Sequence, residues 1–137
     1  MNQQEAVNML KAHNFKITDK RLDIIRFFEE ADGYRTAKDL NTYMESTHPN
    51  ISFDTVYRNL HLYHEMGLLE STTLQGEKHF RLRCSHHHHH HFICSHCGGT
   101  KEIDMCPMEQ LKKALAGYQI NDHKFEIYGL CPSCQSV

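Results

Sequence analysis

Two pairs of cysteines with the spacing Cys-x-x-Cys place the strongest constraint on how this chain folds. The first pair, CSHC, occupies residues 94–97, and the second, CPSC, occupies residues 131–134. Two such turns can direct four thiolates toward one Zn²⁺ ion in a tetrahedral arrangement. A site of this kind is coordinatively closed, which predicts a structural role for the ion and no catalysis.

Redox-active cysteine pairs and disulfides are the alternatives to zinc. The first residues, MNQQEAVNMLKAHNF, lack a basic segment followed by an apolar stretch, which predicts no secretory signal and a cytoplasmic protein. Disulfides are disfavoured in that compartment. A thioredoxin-type pair normally begins a helix, whereas Cys94 ends an apparent strand. Both arguments favour structural zinc.

The cysteines are confined to one part of the chain. All six lie between residues 84 and 134. This composition shift predicts two domains, 1–82 and 83–137, with a hinge at about residues 69–84. The second domain is too short for a large hydrophobic core, so we expect a metal ion or a partner subunit to support it.

The first half of the sequence predicts four helices and a hairpin. Thr18, Thr36 and Ser52 stand where helix N-caps are expected, and Gly67 ends the fourth helix. LLESTTL, the turn QGEK and HFRL then form a hairpin. This order predicts a winged helix-turn-helix whose last helix reads a DNA major groove. An ordinary helical bundle with a solvated surface is the alternative.

The fourth helix has one apolar face and one polar face. The apolar face carries Val56, Leu60 and Tyr63. The other face carries Thr55, Tyr57, Arg58 and His61. The formal net charge of −2, and the eleven acidic against eight basic residues in 1–70, argue against a general affinity for nucleic acid. Any DNA contact must therefore come from a local basic surface.

The second half predicts a small α+β domain. HHFIC reads as a strand, CSHCGG as a loop, TKEID as a strand, PMEQLKKALAGY as a helix and HKFEIYGLC as a final strand. The fold class predicted for the whole chain is therefore α+β: an N-terminal winged helix-turn-helix domain and a small C-terminal α/β domain with a four-cysteine zinc site.

A run of six histidines, residues 86–91, precedes the first CxxC pair. Purification tags stand at termini, so a tag is disfavoured, while a loose metal-collecting tract remains open. The run leads directly into the strand FIC, and side chains alternate between the two faces of a strand. His89 and His91 would then face one way and His88 and His90 the other, which would supply two separate metal sites.

The sequence resembles the ferric uptake regulator superfamily over essentially its whole length, and within it the zinc uptake regulator branch. The resemblance rests on FKIT-DKR, ISFDTVYRNLHLYHEMGLLE, the histidine run before ICSHCG, and HKFEIYGLCPSC. It implies a homodimer that binds double-stranded operator DNA, with a C-terminal dimerisation domain. It also implies a non-enzymatic function, in agreement with the absence of an HExxH motif from the sequence.

The resemblance implies particular residues for each site. The structural zinc ligands are Cys94, Cys97, Cys131 and Cys134; the regulatory ligands are Glu70, Cys84, His89 and His91; the third-site ligands are His88, His90, Glu109 and His123; and the DNA-contacting residues are Lys16, Thr55, Tyr57 and Arg58. Two to three Zn²⁺ ions per subunit are expected, with no small-molecule substrate and no membrane partner.

Zinc is favoured as the signal because Cys84 offers a soft thiolate where iron- and peroxide-sensing relatives favour a carboxylate. Those relatives also carry a histidine near RTAKDL, where this chain has Arg35 and Thr36. The alternatives are a family sensor of iron, manganese or peroxide, and a zinc storage or delivery protein that does not bind DNA. His86 and His87 have no assigned role, and Cys106 is interpreted as a small residue at a loop–helix junction.

Overall fold

The computed structural model of the chain describes residues 1–83, 90–103, 105–121 and 123–135. It divides into two compact units, Met1–His86 and His87–Val137. Each unit contains both helices and a three-stranded sheet, which confirms the predicted α+β class. No helix within these residues has the length and apolar character needed to cross a membrane.

The first unit contains four helices and one sheet. Its elements are α1 (Gln3–Ala12), α2 (Asp19–Glu30), β1 (Arg35–Thr36), α3 (Ala37–Thr47), α4 (Phe53–Glu65), β2 (Leu69–Leu74) and β3 (Glu77–Leu82). The sheet has the order β1-β3-β2, with antiparallel neighbours. The two-residue turn between β2 and β3 contains Gln75 and Gly76, both at positive φ, as a tight hairpin requires.

The helices of the first unit begin where the sequence predicts caps. The side chains of Thr18, Thr36 and Ser52 each accept a hydrogen bond from the backbone amide three residues ahead. At Thr36 the Asp39 carboxylate also accepts from the Thr36 amide, which completes a capping box. Gly67, at φ +80°, lies just past the end of α4 and leads the chain into β2.

The hydrophobic core of the first unit draws on every helix and on the hairpin. Its buried members are Ala6, Leu10, Ile24, Ile25, Phe28, Leu40, Met44, Val56, Leu60, Tyr63, Leu68, Leu69, Phe80 and Leu82. Helix α2 buries Ile24, Ile25 and Phe28, and it also buries the charged residue Asp23. Asp23 is satisfied by the His48 ring, Nε2 to Oδ2 2.8 Å, and by Arg26. A distant partner therefore makes a buried carboxylate tolerable.

The second unit is smaller and more open. Its elements are β4 (His90–Cys94), β5 (Thr100–Ile103), α5 (Met108–Ala114), β6 (Glu126–Gly129) and α6 (Pro132–Gln135). The sheet has the order β5-β4-β6, with β4 antiparallel to β5 and parallel to β6. The central strand β4 contributes the buried residues: His90, His91, Ile93 and Cys94.

Two elements of the second unit are shorter than the sequence predicted. Helix α5 ends at Ala114 rather than at residue 118, and Gly117 follows at φ +88°, outside the helical region. Strand β6 begins at Glu126 rather than at residue 123. The segment that contains His123 therefore precedes the strand, and this frees its ring to turn toward β4.

Candidate metal centres and nucleic-acid interface

Four cysteines of the second unit converge on one point. Cys94 ends β4, Cys97 lies in the turn that follows, and Cys131 and Cys134 lie just before and within α6. Their sulfur atoms all lie within 4.8 Å of one another, and the Cys97 and Cys131 sulfurs are 3.9 Å apart. Tetrahedral zinc with Zn–S bonds near 2.3 Å separates two sulfurs by about 3.8 Å. The arrangement could therefore hold a zinc ion.

Backbone geometry fixes this cluster from both sides. The Gly99 amide donates to the Cys97 sulfur at 3.4 Å, and the Cys131 amide donates to the Cys94 sulfur at 3.4 Å. Gly98 has φ +75°, and a Cβ at Gly99 would stand 3.2 Å from the Cys97 sulfur. The Gly-Gly pair after the first CxxC therefore permits a turn that a larger residue would crowd.

The pKa values of Cys94 and Cys134 shift in opposite directions. Burial alone would raise the pKa of Cys94, but hydrogen bonds from the backbone amides of Cys97, Cys131 and His96 outweigh it and lower this pKa to about 6. Hydrogen bonding to Cys131, together with burial, raises the pKa of Cys134. Ionisation of Cys134 is therefore disfavoured beside its neighbours. A bound dication would favour the thiolate form, because its positive charge attracts the thiolates.

A second cluster contains His90, Cys106 and His123. The Cys106 sulfur lies 3.3 Å from Nε2 of His90 and 3.8 Å from Nε2 of His123. The three donor atoms lie within 4.8 Å of one another. Two of the predicted third-site residues are therefore together, while Glu109 lines the adjoining cleft beside Cys106 and His123. The predicted ligand His88 lies outside the described residues.

The predicted regulatory ligands are only partly described. Glu70 lies on β2 opposite Arg81 of β3, and its carboxylate accepts a hydrogen bond from the Arg81 guanidinium. The same guanidinium lies over the Tyr34 ring, 5.1 Å from its centroid. His91 is buried on β4. Cys84 and His89 fall outside the described residues, so this ligand set stays a prediction.

Helix α4 presents the predicted DNA-contacting side chains away from its core face. Tyr57 is 51% exposed, and the Arg58 side chain is 78% exposed and pairs with Asp54 on the same helix. Thr55 is half-buried beside the Ser52 cap. Lys16 is exposed in the loop between α1 and α2. These positions leave all four residues available as a candidate nucleic-acid interface.

Three residues of the candidate sites were not predicted from the sequence to take part in them. Phe53 is half-exposed and stacks on Tyr57 with ring centroids 6.1 Å apart. Arg21 donates to the Lys16 carbonyl and shares with Arg58 a cleft of about 400 Å³. The positive charge of Arg21 and its nearness in sequence to Lys16 could have indicated a role in binding DNA. Cys106, interpreted as a junction residue, had no local pattern to link it to His90 and His123.

Comparison with known proteins places this architecture in a family. Residues 12–128 match the ferric uptake regulator family. A ferric uptake regulation protein from Staphylococcus epidermidis is 53% identical over 135 residues, which cover 98% of each chain.

Solved structures share the architecture. The Helicobacter pylori ferric uptake regulator Fur, with a TM-score of 0.78 and 16% identity, covers 100% of this chain and 96% of its own. A zinc uptake regulator in complex with zinc and DNA, with a TM-score of 0.67 and 26% identity, covers 97% of this chain and 92% of its own.

The fold and the clustered ligand residues belong to a class of metal-responsive transcriptional regulators, which are not enzymes. The chain is a member of the ferric uptake regulator family. The predicted superfamily is therefore confirmed. The zinc branch stays a prediction, because the curated relatives are named for ferric uptake.

Proposed function

We propose that this protein is a zinc-responsive, homodimeric repressor that binds operator DNA when its regulatory zinc site is filled and controls zinc-uptake genes. The observation that favours zinc as the signal is the presence of a thiol, that of Cys84, among the proposed regulatory ligands. A thiolate is a soft ligand that suits Zn²⁺ better than Mn²⁺ or Fe²⁺. Together with the Glu70 carboxylate it also cancels the charge of a dication, which reduces the cost of burying the ion.

The first unit supplies the proposed DNA reader. Helix α4 packs one face into the core through Val56, Leu60 and Tyr63 and exposes Tyr57 and Arg58 on the other. In the winged helix-turn-helix mode, the exposed face enters a major groove and a dimer places two such helices one DNA turn apart, about 34–36 Å. Thr55 and Lys16 would contact the backbone or the adjoining groove. The cleft shared by Arg21 and Arg58 supports this proposal, because it brings two guanidinium groups to one surface, which Glu65 also lines.

The second unit supplies the proposed dimer contact. Strand β6 is an edge strand of its sheet, and Ile127, Tyr128 and Leu130 are each 44–48% exposed along it. An apolar edge strand that remains exposed is a template for pairing with another chain. We therefore place the homodimer interface around residues 125–130, in agreement with the exposure of this edge.

The regulatory ligands span the proposed hinge. Glu70 and Cys84 lie near the two ends of the hinge segment 69–84, and His89 and His91 follow it. One zinc ion held by all four would restrict the hinge and so fix the distance between the two reading helices of a dimer. Couplings of this kind are worth about 1–3 kcal/mol, or about 5- to 150-fold in DNA affinity.

Arg81 would take part in this response. It pairs with Glu70 across the hairpin and stacks over Tyr34. A zinc ion that binds the Glu70 carboxylate must share it with the guanidinium, which lowers the affinity of the site relative to an unpaired carboxylate. We expect this competition to help keep the regulatory site weaker than the four-cysteine site, so that one exchanges zinc while the other retains it.

An iron-responsive repressor is the second candidate. Curated relatives 51–53% identical over 98% of this chain carry the name ferric uptake regulation protein. The thiol of Cys84 is the feature that favours zinc over this alternative.

The two candidates can be separated with a buffered-metal DNA-binding titration. Duplexes would first be selected from a random pool with zinc-loaded protein, and binding would then be measured anaerobically with Zn²⁺, Fe²⁺ or Mn²⁺ at buffered free concentrations. We expect Zn²⁺ to activate binding, and Fe²⁺ to activate it only after Cys84→Asp replaces the soft ligand with a hard one. Full activation of the unaltered protein by Fe²⁺ in zinc-free buffer would overturn the zinc assignment. If the protein bound metal but selected no duplex from the random pool, the result would instead favour a zinc storage protein.

A further inference from the structure

His90, Cys106 and His123 come from three separate parts of the second unit. His90 begins β4, Cys106 lies in the loop before α5, and His123 precedes β6. His90 is 5% exposed, and the other two residues are half-buried. Both histidines direct Nε2 toward the same sulfur atom. The protein therefore holds two imidazoles and one thiol around a common point, although each is remote from the others in sequence.

The separations within this group match those of a coordination shell. With Zn–N bonds near 2.1 Å and Zn–S bonds near 2.3 Å, a tetrahedral ion separates nitrogen from sulfur by about 3.6 Å. The two observed nitrogen–sulfur distances, 3.3 and 3.8 Å, lie on either side of this value. A small adjustment of the side chains would therefore bring all three donors to bonding distance of one ion.

We propose that Cys106 is a thiolate ligand of the third metal site, completing a His–Cys–His donor set with His90 and His123. This inference rests on the proposed zinc-responsive function and on the third site that the family resemblance implies. It changes the donors of that site from nitrogen and oxygen alone to a set that includes sulfur. The cleft of about 500 Å³ beside Cys106 and His123 is also lined by Glu109. Its carboxylate lies outside the three-residue cluster, so Glu109 would have to turn inward to serve as a fourth donor.

A sulfur donor changes which ions the site accepts. Two neutral imidazoles, one thiolate and one carboxylate cancel the charge of a dication, so a nearly buried position such as that of His90 becomes acceptable. Thiolate and imidazole together suit Zn²⁺, whereas Mn²⁺ prefers carboxylate, carbonyl and water ligands. The third site would then select the same ion as the proposed sensor and discriminate against Mn²⁺.

The alternative is a packed aromatic cluster with no ion. The His90 ring lies 5.2 Å from the His123 ring and 5.4 Å from the Phe125 ring, centroid to centroid, so the imidazoles also pack against one another. In that case Cys106 would fill space beside the rings. Such a role predicts that replacing the thiol alters stability without altering metal binding.

Cobalt(II) substitution tests the proposal, because cobalt–thiolate bonds give a charge-transfer absorption band in the near ultraviolet that nitrogen and oxygen ligands do not. The protein used would be the full chain with Cys84→Ser, retaining zinc in its four-cysteine site. This variant removes the other proposed sulfur ligand outside that site, so Cys106 is the remaining thiol available to added Co²⁺. We expect Co²⁺ to produce a thiolate band that saturates at about one equivalent per subunit.

The matched control is the double variant Cys84→Ser with Cys106→Ser. We expect the band to disappear and the affinity of the third site for Co²⁺ to fall by more than about tenfold. Circular dichroism and retention of the four-cysteine zinc would show that this variant is folded. Co²⁺ binding with no thiolate band in the single variant, or an unchanged band in the double variant, would overturn the proposal.

A second measurement works without cobalt and without the Cys84 substitution. Alkylation of Cys106 in the unaltered protein, followed by mass spectrometry of its peptide, should slow by more than about tenfold when Zn²⁺ fills the third site, because a coordinated thiolate is protected. An alkylation rate that zinc does not change would overturn the proposal. Neither readout involves DNA, so a failure of the proposed repressor function would leave this result unaffected, and the reverse also holds.

Discussion

The two units of this protein reach stability by different physical means. The first buries fourteen core residues drawn from four helices and a hairpin, and a hydrogen-bonded cap begins each of those helices. The second buries only Ile93 and Cys94 among its described hydrophobic residues. Two clusters of cysteines and histidines lie beside these residues. The first unit therefore depends on the hydrophobic effect, and the second on groups that bind metal.

This contrast explains how one chain can respond to an ion and still keep its fold. We expect the first unit, the proposed DNA-binding unit, to stay folded with or without a bound ion, because its hydrophobic core is large. A small unit with a thin core can take a large part of its folding free energy from metal, about 10–16 kcal/mol for structural zinc. Metal would then stabilise the second unit and, in the proposed function, would act as a signal through the regulatory ligands of the hinge.

The largest expected effect is the loss of the four-cysteine zinc. Cys97→Ser should release this ion and unfold much of the second unit, because a binding free energy of about 10–16 kcal/mol is coupled to its folding. The first unit should keep its helices. Hydrogen exchange read separately in β4–β6 and in α1–α4, together with zinc content, measures both results.

Cys106→Ser is the control for that experiment, since it removes a cysteine of the same unit that lies outside the four-cysteine cluster. It should retain one tightly held zinc. If Cys97→Ser instead left exchange in β4–β6 unchanged, the metal would not be what stabilises the second unit.

A cavity in the first unit should have the converse effect. Leu60 is fully buried in the core, so Leu60→Ala should destabilise that unit by about 2–5 kcal/mol. Leu62→Ala, on the same helix but only partly buried, should cost less. Thermal unfolding of zinc-loaded protein, followed by α-helical circular dichroism, measures the difference. Equal losses for the two variants would contradict the core assignment of α4.

Local patterns in the sequence predicted most of the first unit, because its caps and helical periods are local. Ser52, Thr36 and Thr18 form the N-caps that their positions indicated. The burial of Asp23 could not be predicted in this way, because it depends on a contact with His48, 25 residues further along the chain. Periodicity describes one helix face and contains no information about a partner on another helix.

The four-cysteine cluster was predictable for the same reason, since each CxxC pair is a local turn that brings two thiols together. The group around Cys106 was not, because its neighbours His90 and His123 lie 16 and 17 residues away in opposite directions. Only the packing of the loop before α5 against β4 brings them together. The presence of Cys106 beside the two histidines is thus a tertiary effect.

Cys84→Ser tests the proposed signal rather than the fold. The dimer and the four-cysteine zinc should remain, while the stimulation of operator binding by zinc, about 5- to 150-fold, should be lost. His13→Ala is a matched control, because His13 is an exposed histidine at the end of α1 outside the metal clusters of the described residues. Fluorescence anisotropy with buffered zinc measures the stimulation. A variant that still responds fully would exclude Cys84 from the sensor.

Mild chelation should separate the two classes of site without mutation. We expect two to three zinc ions per subunit to fall to one, with operator binding lost and then regained when zinc is returned. The retained ion would be the one held by four thiolates, because a closed tetrahedral sulfur site binds more tightly than a site whose carboxylate also pairs with Arg81. Metal analysis alongside anisotropy measures both quantities. Complete loss of zinc with the dimer intact would contradict this order.

The smallest expected effect is in the first unit, at the surface of α4. The Arg58 side chain is largely exposed, and its ion pair with Asp54 lies at the surface, where such pairs contribute little to stability, so Arg58→Ala should leave stability and metal content unchanged. Its loss should weaken operator binding by about tenfold and reduce the salt dependence of binding by about one unit of slope, as expected when one contact to DNA is removed. Lys113→Ala removes the same charge from an exposed position on α5 of the second unit and should change neither quantity. Equal weakening by both variants would mean that general charge, and not the exposed face of α4, governs the affinity for DNA.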